Sequence, residues 1–273
     1  MNLSHRYFDL EEFFSSAAAS GYTCCELWTG AMHLYVDCHG YDSLEQVREL
    51  SRRYGVRIVG ICPEQNNPKP WNVAVRGEAG QKRILSYFKN VIDVAVELGA
   101  PQILVTSGWA YLDEPAEDAW ARSVAMLRSV CDYADTRGIR VALEALQPSE
   151  SVLVNTAQDV ARILADVDRP NLKACIDFGA MEVAGDTIDS YFEALGDKIV
   201  HTHFVDVGGG TTHLAWGDGE RDMRADLEAL MRHGYTGYAS AETCDGRYYQ
   251  DPSKATTQVI EMYRRVTAEM EAE

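Results

Sequence analysis

The sequence predicts an α/β protein built as a single (β/α)8 TIM barrel over residues 1–273. Three observations predict it: strand-like apolar runs alternate with amphipathic stretches, glycines follow several of these stretches, and polar residues recur where the strand-like runs end. Strict alternation implies a parallel sheet, and eight βα units close that sheet into a barrel. A doubly wound open sheet is the alternative. Its usual nucleotide-binding forms lack support, because neither a G-x-G-x-x-G after the first strand nor a Walker loop is present.

Seven strand-like runs can be placed along the chain, each rich in apolar and β-branched residues. They cover 23–28, 56–64, 102–108, 140–146, 172–179, 198–206 and 238–243. The opening "MNLSH" (1–5) is the candidate for the eighth strand, which would come first in the chain. No internal repeat or linker divides the sequence, so one domain is expected.

Helix-like stretches fill the intervals between the strands, at 43–54, 78–99, 116–137, 156–167, 185–195, 222–233 and 253–271. Glycine closes four of these stretches, at Gly55, Gly99, Gly138 and Gly234. Glycine most readily adopts the left-handed conformation that ends a helix. Thr156 and Thr187 are suited to begin the helices that follow them.

The charge is strongly negative, with 42 acidic against 25 basic residues and a formal net charge of −17. This argues against a nucleic-acid partner, which needs a basic face, and is compatible with a divalent cation. The seven cysteines include no CxxC pair, as expected in a reducing compartment. No signal peptide and no apolar run of about 18 residues is seen, so we expect a cytoplasmic protein without a membrane partner.

A polar residue stands near the carboxyl end of six strand-like runs: Glu26, Glu64, Glu144, Asp177, His203 and Glu242. In a barrel these ends meet at one face, where active sites are built. The last four come from consecutive strands and could surround one point. Unpaired, their charges would repel one another and be costly to desolvate, and a divalent cation removes that cost. Three carboxylates with one imidazole suit Mn²⁺ first, with Mg²⁺, Co²⁺, Ni²⁺ and Zn²⁺ also open.

Four segments, "LEALQPSESVLVNT", "IDFGAM", "HTHFVD" and "SAET", resemble the xylose-isomerase-like family of sugar isomerases and 3-epimerases. The resemblance implies one metal ion held by Glu144, Asp177, His203 and Glu242. It implies further that Glu144 and Glu242 are the catalytic acid–base pair and that Glu150 contacts the substrate.

Within the family, "GYTCCELWTGAMH" and "GICPEQNNPKPWN" are similar to the 3-epimerases of ketosamines, which interconvert fructoselysine and psicoselysine. Two positions depart from many ketose 3-epimerases of this fold. Ala180 replaces a substrate-binding histidine and Gly209 replaces an arginine. Both departures disfavour a free ketohexose and fit the ketosamine enzymes.

The expected chemistry is epimerisation through an enediolate. A metal ion chelated by a ketose carbonyl and the adjacent hydroxyl would acidify C3, with a base on one face and an acid on the other. Glu144 and Glu242 would fill these two roles. Further substrate contacts are expected from residues near the strand ends: Glu150, Trp28, His33, Glu64, Asp206 and His213.

Other functions stay open at this point. Related barrels form the large subunit of C-glycoside deglycosidases, which need a small partner subunit. A ketohexose or sugar-phosphate isomerase or epimerase is another reading, with Arg221 or Arg247 available for a phosphate. A non-catalytic, metal-dependent sugar-binding protein is the third. Assembly as a homo-dimer or tetramer is an expectation from the family resemblance.

Overall fold

Seven parallel strands form the central sheet of the computed structural model, which describes residues 1–65 and 70–272. They are β1 Cys24–Trp28, β2 Arg57–Cys62, β3 Gln102–Thr106, β4 Arg140–Glu144, β5 Leu172–Asp177, β6 Ile199–His203 and β9 Tyr238–Ser240. Each strand pairs with the next in chain order, as in a barrel. A short antiparallel hairpin, β7 Asp206–Gly208 and β8 Thr211–Leu214, follows β6. The predicted barrel fold is confirmed.

Nine α-helices accompany the strands over the described residues. They are α1 Leu10–Ser20, α2 Glu45–Tyr54, α3 Glu78–Leu98, α4 Ala116–Asp135, α5 Ala157–Val167, α6 Phe178–Ala184, α7 Ile188–Leu195, α8 Met223–Arg232 and α9 Pro252–Glu271. The seven predicted helices are present, while α1, α6 and the β7–β8 hairpin were not predicted. None of the described helices has both the length and the apolar character needed to cross a bilayer.

The predicted helix boundaries follow from local chemistry. Gly55, Gly99, Gly138 and Gly234 all adopt positive φ, between 66° and 71°, directly after a helix or its last turn. Thr156 and Thr187 each accept a hydrogen bond from the backbone N–H three residues on, and each is part of a capping box. These caps satisfy backbone groups that a helix end leaves without an internal partner.

Alternating side chains divide the core in two. One set packs between the sheet and the surrounding helices and forms the large apolar core. The other set has fewer residues and lies inside the barrel. Three of its members, Cys62, Ala142 and Cys175, have short side chains. These short side chains leave room inside the barrel for the buried polar side chains of Glu26 and His201.

The predicted eighth strand is wrong: no strand forms within residues 1–5, where residues 2–5 form turns, and β1 and β9 are not paired with each other. The amide of Asn2 takes the place of a neighbouring strand. Its Oδ1 accepts from the N–H of Trp28 at 2.7 Å, and its Nδ2 donates to the carbonyl of Trp28 at 2.9 Å. The amino group of Met1 donates to the carbonyl of Ala241 at 2.9 Å. Side-chain and terminal groups therefore bridge the two edge strands where a backbone ladder was expected.

Candidate metal centre and substrate pocket

The four predicted metal ligands come together at the carboxyl end of the barrel. Glu144, Asp177 and His203 are the last residues of β4, β5 and β6, and Glu242 lies two residues beyond β9. One potential ligand atom from each of the four lies within 4.8 Å of the others. The parallel register produces this arrangement, because Asp177 pairs with His203 and Thr106 pairs with Glu144 across neighbouring strands.

The ligand atoms are crowded around Nδ1 of His203. His203 Nδ1 lies 2.8 Å from Glu242 Oε2, 3.4 Å from Glu144 Oε2 and 3.7 Å from Asp177 Oδ2. Among the described residues, no hydrogen bond reaches His203 Nδ1, Asp177 Oδ2 or Glu242 Oε2, although all three atoms are buried. Buried polar atoms are nearly always satisfied. A divalent cation would satisfy all three, and the residues therefore fit one.

Neighbouring groups set the direction in which two of the four ligands point. The other oxygen of Asp177, Oδ1, accepts the backbone N–H of Ala180 at 2.5 Å and begins α6, which leaves Oδ2 for the centre. The other ring nitrogen of His203, Nε2, lies 3.3 Å from Glu26 Oε2. His201 Nε2 approaches the same oxygen at 3.0 Å. Glu26 and His201 therefore form a buried layer directly behind His203.

Burial and the crowded carboxylates shift the pKa values of the cluster. Burial raises the pKa of Glu144 to about 7. For His203 burial acts to lower the pKa, but the surrounding acidic groups, Glu242 first, raise it well above its usual range. Burial likewise opposes ionisation of Glu26, yet His201 and His203 hold its pKa well below the ordinary value. These shifts favour protonation of Glu144 and His203, and a cation would compete with those protons.

Two further predicted residues lie beside the centre. His213 on β8 places Nε2 at 3.2 Å from Asp177 Oδ2 and 3.6 Å from Glu242 Oε2. Burial opposes its protonation, but Asp177 and its neighbours raise the pKa of His213 to about 10. Glu150 Oε2 accepts the backbone N–H of Gln147 at 3.0 Å, and burial raises its pKa.

A pocket of about 320 Å³ opens onto the centre. This lies at the lower end of the range usual for small-molecule sites, about 300–1,000 Å³. It is lined by the predicted residues Trp28, Glu64, Glu150 and His213, together with the metal-ligand candidates Glu144, Asp177 and Glu242. Ala180 also lines the pocket. It is the residue that replaces the histidine of many ketose 3-epimerases.

The other two predicted substrate contacts are not part of the pocket lining. His33 is buried against the N-terminal turns, where Nε2 bonds to the carbonyl of Phe8 at 2.9 Å and Nδ1 bonds to Asn2 Nδ2 at 2.8 Å. Asp206 accepts four backbone N–H groups at 2.8–3.0 Å, from Val207, Gly217, Gly219 and Arg221. The hydrogen-bonding capacity of both side chains is used to hold loops. Neither residue lines the pocket, so substrate contact by His33 and Asp206 stays a prediction.

Several lining residues were not predicted. Gln147 donates through Nε2 to Thr212 Oγ1 at 3.1 Å and joins the loop after β4 to the hairpin. Arg6 and Tyr249 also line the pocket, from opposite ends of the chain. No sequence signal marks these residues, since each lies in a loop. By contrast Glu26 and His201 carried a signal, because each is a charged or polar residue in a strand with otherwise buried neighbours.

The two arginines considered for a phosphate are already paired. Arg221 forms ion pairs with Glu182 and Asp226, and Arg247 pairs with Asp245 at 2.9 Å. Neither lines the pocket. This placement does not support a sugar-phosphate site at these residues.

Residues 14–266 match the family described as the xylose isomerase-like TIM barrel. The chain belongs to this family. A fructoselysine 3-epimerase from Shigella flexneri is 32% identical over 268 residues, which cover 98% of this chain and 96% of the relative.

Solved structures share the fold at lower identity. The IolI protein, solved with a bound zinc atom, superposes with a TM-score of 0.78 at 22% identity, over 96% of this chain and 94% of that one. A D-psicose 3-epimerase from Clostridium cellulolyticum H10, solved with D-tagatose, gives a TM-score of 0.73 at 18% identity, over 94% and 93% of the two chains.

Proposed function

We propose that this chain is a divalent-metal-dependent 3-epimerase of ketosamines of the fructoselysine and psicoselysine type. The observation that carries the proposal is the group formed by Glu144, Asp177, His203 and Glu242, whose ligand atoms lie within 4.8 Å of one another at a pocket of about 320 Å³. The similarity to a fructoselysine 3-epimerase over almost the whole chain supports the substrate class. The broader class, an enzyme that isomerises or epimerises sugars, is common to the named curated relatives.

Glu144, Asp177, His203 and Glu242 would hold the cation, and Mn²⁺ is the ion we expect from three carboxylates and one imidazole. When bound, such an ion polarises a ketose carbonyl and stabilises the negative charge that develops when the neighbouring carbon loses its proton. The remaining chemistry belongs to side chains of this protein.

Glu144 and Glu242 are the two groups suited to move the C3 proton. Glu144 ends β4 and Glu242 lies two residues beyond β9. These strands are separated in the sheet by β5 and β6, so the two carboxylates approach the centre from different sides. One carboxylate removes the proton from one face of C3 and the other returns a proton to the opposite face.

His213 and Glu150 would position the substrate. The imidazole of His213 lies against Asp177 and Glu242 and lines the pocket beside the centre. Glu150 is held by the backbone of Gln147 and lines the pocket, where its free oxygen can accept from sugar hydroxyls. Trp28 supplies an apolar wall.

Solvent deuterium exchange tests the proposal. The purified chain, loaded with Mn²⁺ in D₂O, is incubated with fructoselysine, free ketohexoses and ketohexose phosphates, and the products are examined by NMR. We expect deuterium at C3 of fructoselysine and formation of psicoselysine, with both lost after chelation. Glu144→Gln and Glu242→Gln should each reduce exchange by about 10²–10⁴-fold at saturating Mn²⁺, as for loss of a general acid or base.

The same experiment separates the alternatives. Exchange into a ketohexose or its phosphate, without exchange into fructoselysine, would replace the ketosamine by that substrate. Sugar binding without exchange into any of the compounds would indicate a non-catalytic binding protein.

A further inference from the structure

Arg6 places a guanidinium group on the wall of the same pocket that the carboxylates line. It is the one arginine or lysine of the lining formed by the described residues. Five acidic residues share the lining with it: Glu64, Glu144, Glu150, Asp177 and Glu242. His213, the other group able to carry positive charge there, is already paired with Asp177 at 3.2 Å.

The guanidinium of Arg6 is held in place without a carboxylate partner. Its carbon lies 4.8 Å from the ring centre of Tyr249 and 5.5 Å from that of Trp28. Its Nε donates to the carbonyl of Leu3 at 2.9 Å. Within residues 1–65 and 70–272, no acidic side chain comes within ion-pair distance of it. Aromatic faces stabilise a cation and fix its plane, but they leave the terminal N–H groups of the guanidinium available.

The isolation of this arginine is informative because the chain is so acidic. Other arginines near buried acidic groups are engaged, as Arg122 is by Glu114 and Arg221 by Asp226. A guanidinium that is oriented in advance, lines a ligand pocket and lacks a partner in the protein is suited to an anion from solution. Its planar fork matches a carboxylate or a phosphate through two parallel hydrogen bonds.

We propose that Arg6 binds the carboxylate at the amino-acid end of the substrate, the end remote from the reacting ketose. This inference rests on the proposed ketosamine epimerase function. It makes the pocket bipolar: the carboxylate cluster, with its cation, receives the sugar, and Arg6 receives the anion at the other end. Uncharged ketohexoses lack a group for Arg6, which gives a physical reason for selection of an amino-acid-bearing substrate.

Two substrates that differ only at the remote end test the inference. One is fructoselysine, and the other is the ketosamine formed from glucose and one amino group of 1,5-diaminopentane, which keeps the remote amino group and lacks only the carboxylate. Steady-state kinetics of the Mn²⁺-loaded chain are compared for the unaltered protein and for Arg6→Met. We expect KM for fructoselysine to rise about 10- to 100-fold with kcat nearly unchanged, as for loss of a charged hydrogen bond remote from the reacting carbon. KM for the diaminopentane compound should not change.

Two further variants act as controls. Arg57→Met removes an exposed arginine at the start of β2, whereas the pocket lies at the carboxyl ends of the strands. This change should leave KM and kcat unaltered for both substrates. Arg6→Lys keeps the charge but loses the fork, so its KM for fructoselysine should lie between those of the unaltered protein and Arg6→Met.

Equal effects of Arg6→Met on both substrates would assign a structural role to this residue and overturn the inference, as would no effect on either. If Arg6→Met changes the kinetics only for fructose 6-phosphate, the site is reassigned to phosphate.

If the unaltered protein turns over neither ketosamine, the proposed function fails, and calorimetric binding of the two compounds still tests Arg6. In that case tighter binding of fructoselysine that Arg6→Met abolishes supports the site, and equal binding refutes it.

Discussion

At the scale of single residues, the orientation of His203 is the detail on which the candidate metal centre most depends. Its Nδ1 faces Glu144, Asp177 and Glu242, while its Nε2 faces the buried Glu26 at 3.3 Å. A carboxylate behind a metal-binding histidine fixes the ring and increases the basicity of the ligating nitrogen. We infer that Glu26 positions His203 for the cation.

Glu26→Gln is expected to weaken Mn²⁺ binding by about 10- to 100-fold. The amide has the same shape and can still accept a hydrogen bond, so the loss reports the charge. Titration of the protein with Mn²⁺, followed by the EPR signal of the free ion, measures the affinity without any substrate. Glu45→Gln, on the exposed first turn of α2, is the matched control.

Glu26, His201 and His203 could themselves hold an ion, and the same titration decides between the two roles. A positioning role predicts one Mn²⁺ per chain in both proteins. Two ions per unaltered chain, with one lost in Glu26→Gln, would show that Glu26 is a ligand instead.

At the scale of secondary-structure elements, the β7–β8 hairpin and α6 form one wall of the centre. His213 reaches the ligands from β8 with a backbone φ of 58°, which is unusual for a residue other than glycine. Gly179 in α6 makes this approach feasible. A Cβ atom there would lie 3.0 Å from Thr212 Cβ and 3.1 Å from both Asp177 Oδ1 and His213 Cε1.

Gly179→Ala should therefore push the hairpin away from α6. We expect the free energy of unfolding to fall by about 1–3 kcal/mol, as for other overpacked sites. The displacement of His213 should also lower kcat/KM roughly tenfold, since small errors of position at a reacting centre are costly. Urea denaturation and steady-state kinetics measure the two effects.

Gly40→Ala is the control for this change, because a Cβ atom at Gly40 meets no atom within 4 Å and its φ is not positive. Full stability and activity in Gly179→Ala would contradict the close contact between α6 and the hairpin.

At the scale of the whole molecule, charge and metal binding are connected. The chain carries a net charge of −17, and three of its carboxylates converge inside the barrel mouth. The pKa values of Glu144 and His203 are both raised, and the protons that these residues retain reduce the local repulsion when no cation is bound. A cation must displace these protons in order to bind.

Affinity for Mn²⁺ should consequently rise with pH. Glu144 is protonated below its pKa of about 7, so the cation has to displace that proton as the pH falls. Each displaced proton weakens the apparent affinity up to tenfold per pH unit below the pKa. Because the pKa of His203 is raised, its proton must also leave, and this adds to the dependence across neutral pH.

Calorimetry at about pH 6 and about pH 8, in buffers of different ionisation enthalpy, measures both the affinity and the number of protons released. We expect at least one proton per ion. An affinity that is constant over this interval, with no proton release, would contradict the pKa shifts on which the prediction rests.

The sequence by itself determined the barrel and the position of its polar centre. The alternation of apolar runs with amphipathic stretches predicted seven strands and seven helices. Glycines and threonines at the helix ends predicted where several of these helices begin or end. Glu144, Asp177 and His203 could be brought together on paper because parallel strands have a fixed direction and their carboxyl ends must share one face. These are regularities of hydrogen-bonded backbone, and they leave a periodic signal in the residues.

Only the tertiary structure decided what the loops do. Asp206 and His33 look like site residues in the sequence, yet backbone N–H groups and the N-terminal turns occupy their hydrogen-bonding atoms. Arg6 gives no signal in the sequence, yet it stacks on Tyr249 from the other end of the chain and faces the pocket. Loop contacts join residues far apart in the sequence without any repeating geometry, so each depends on the completed fold around it.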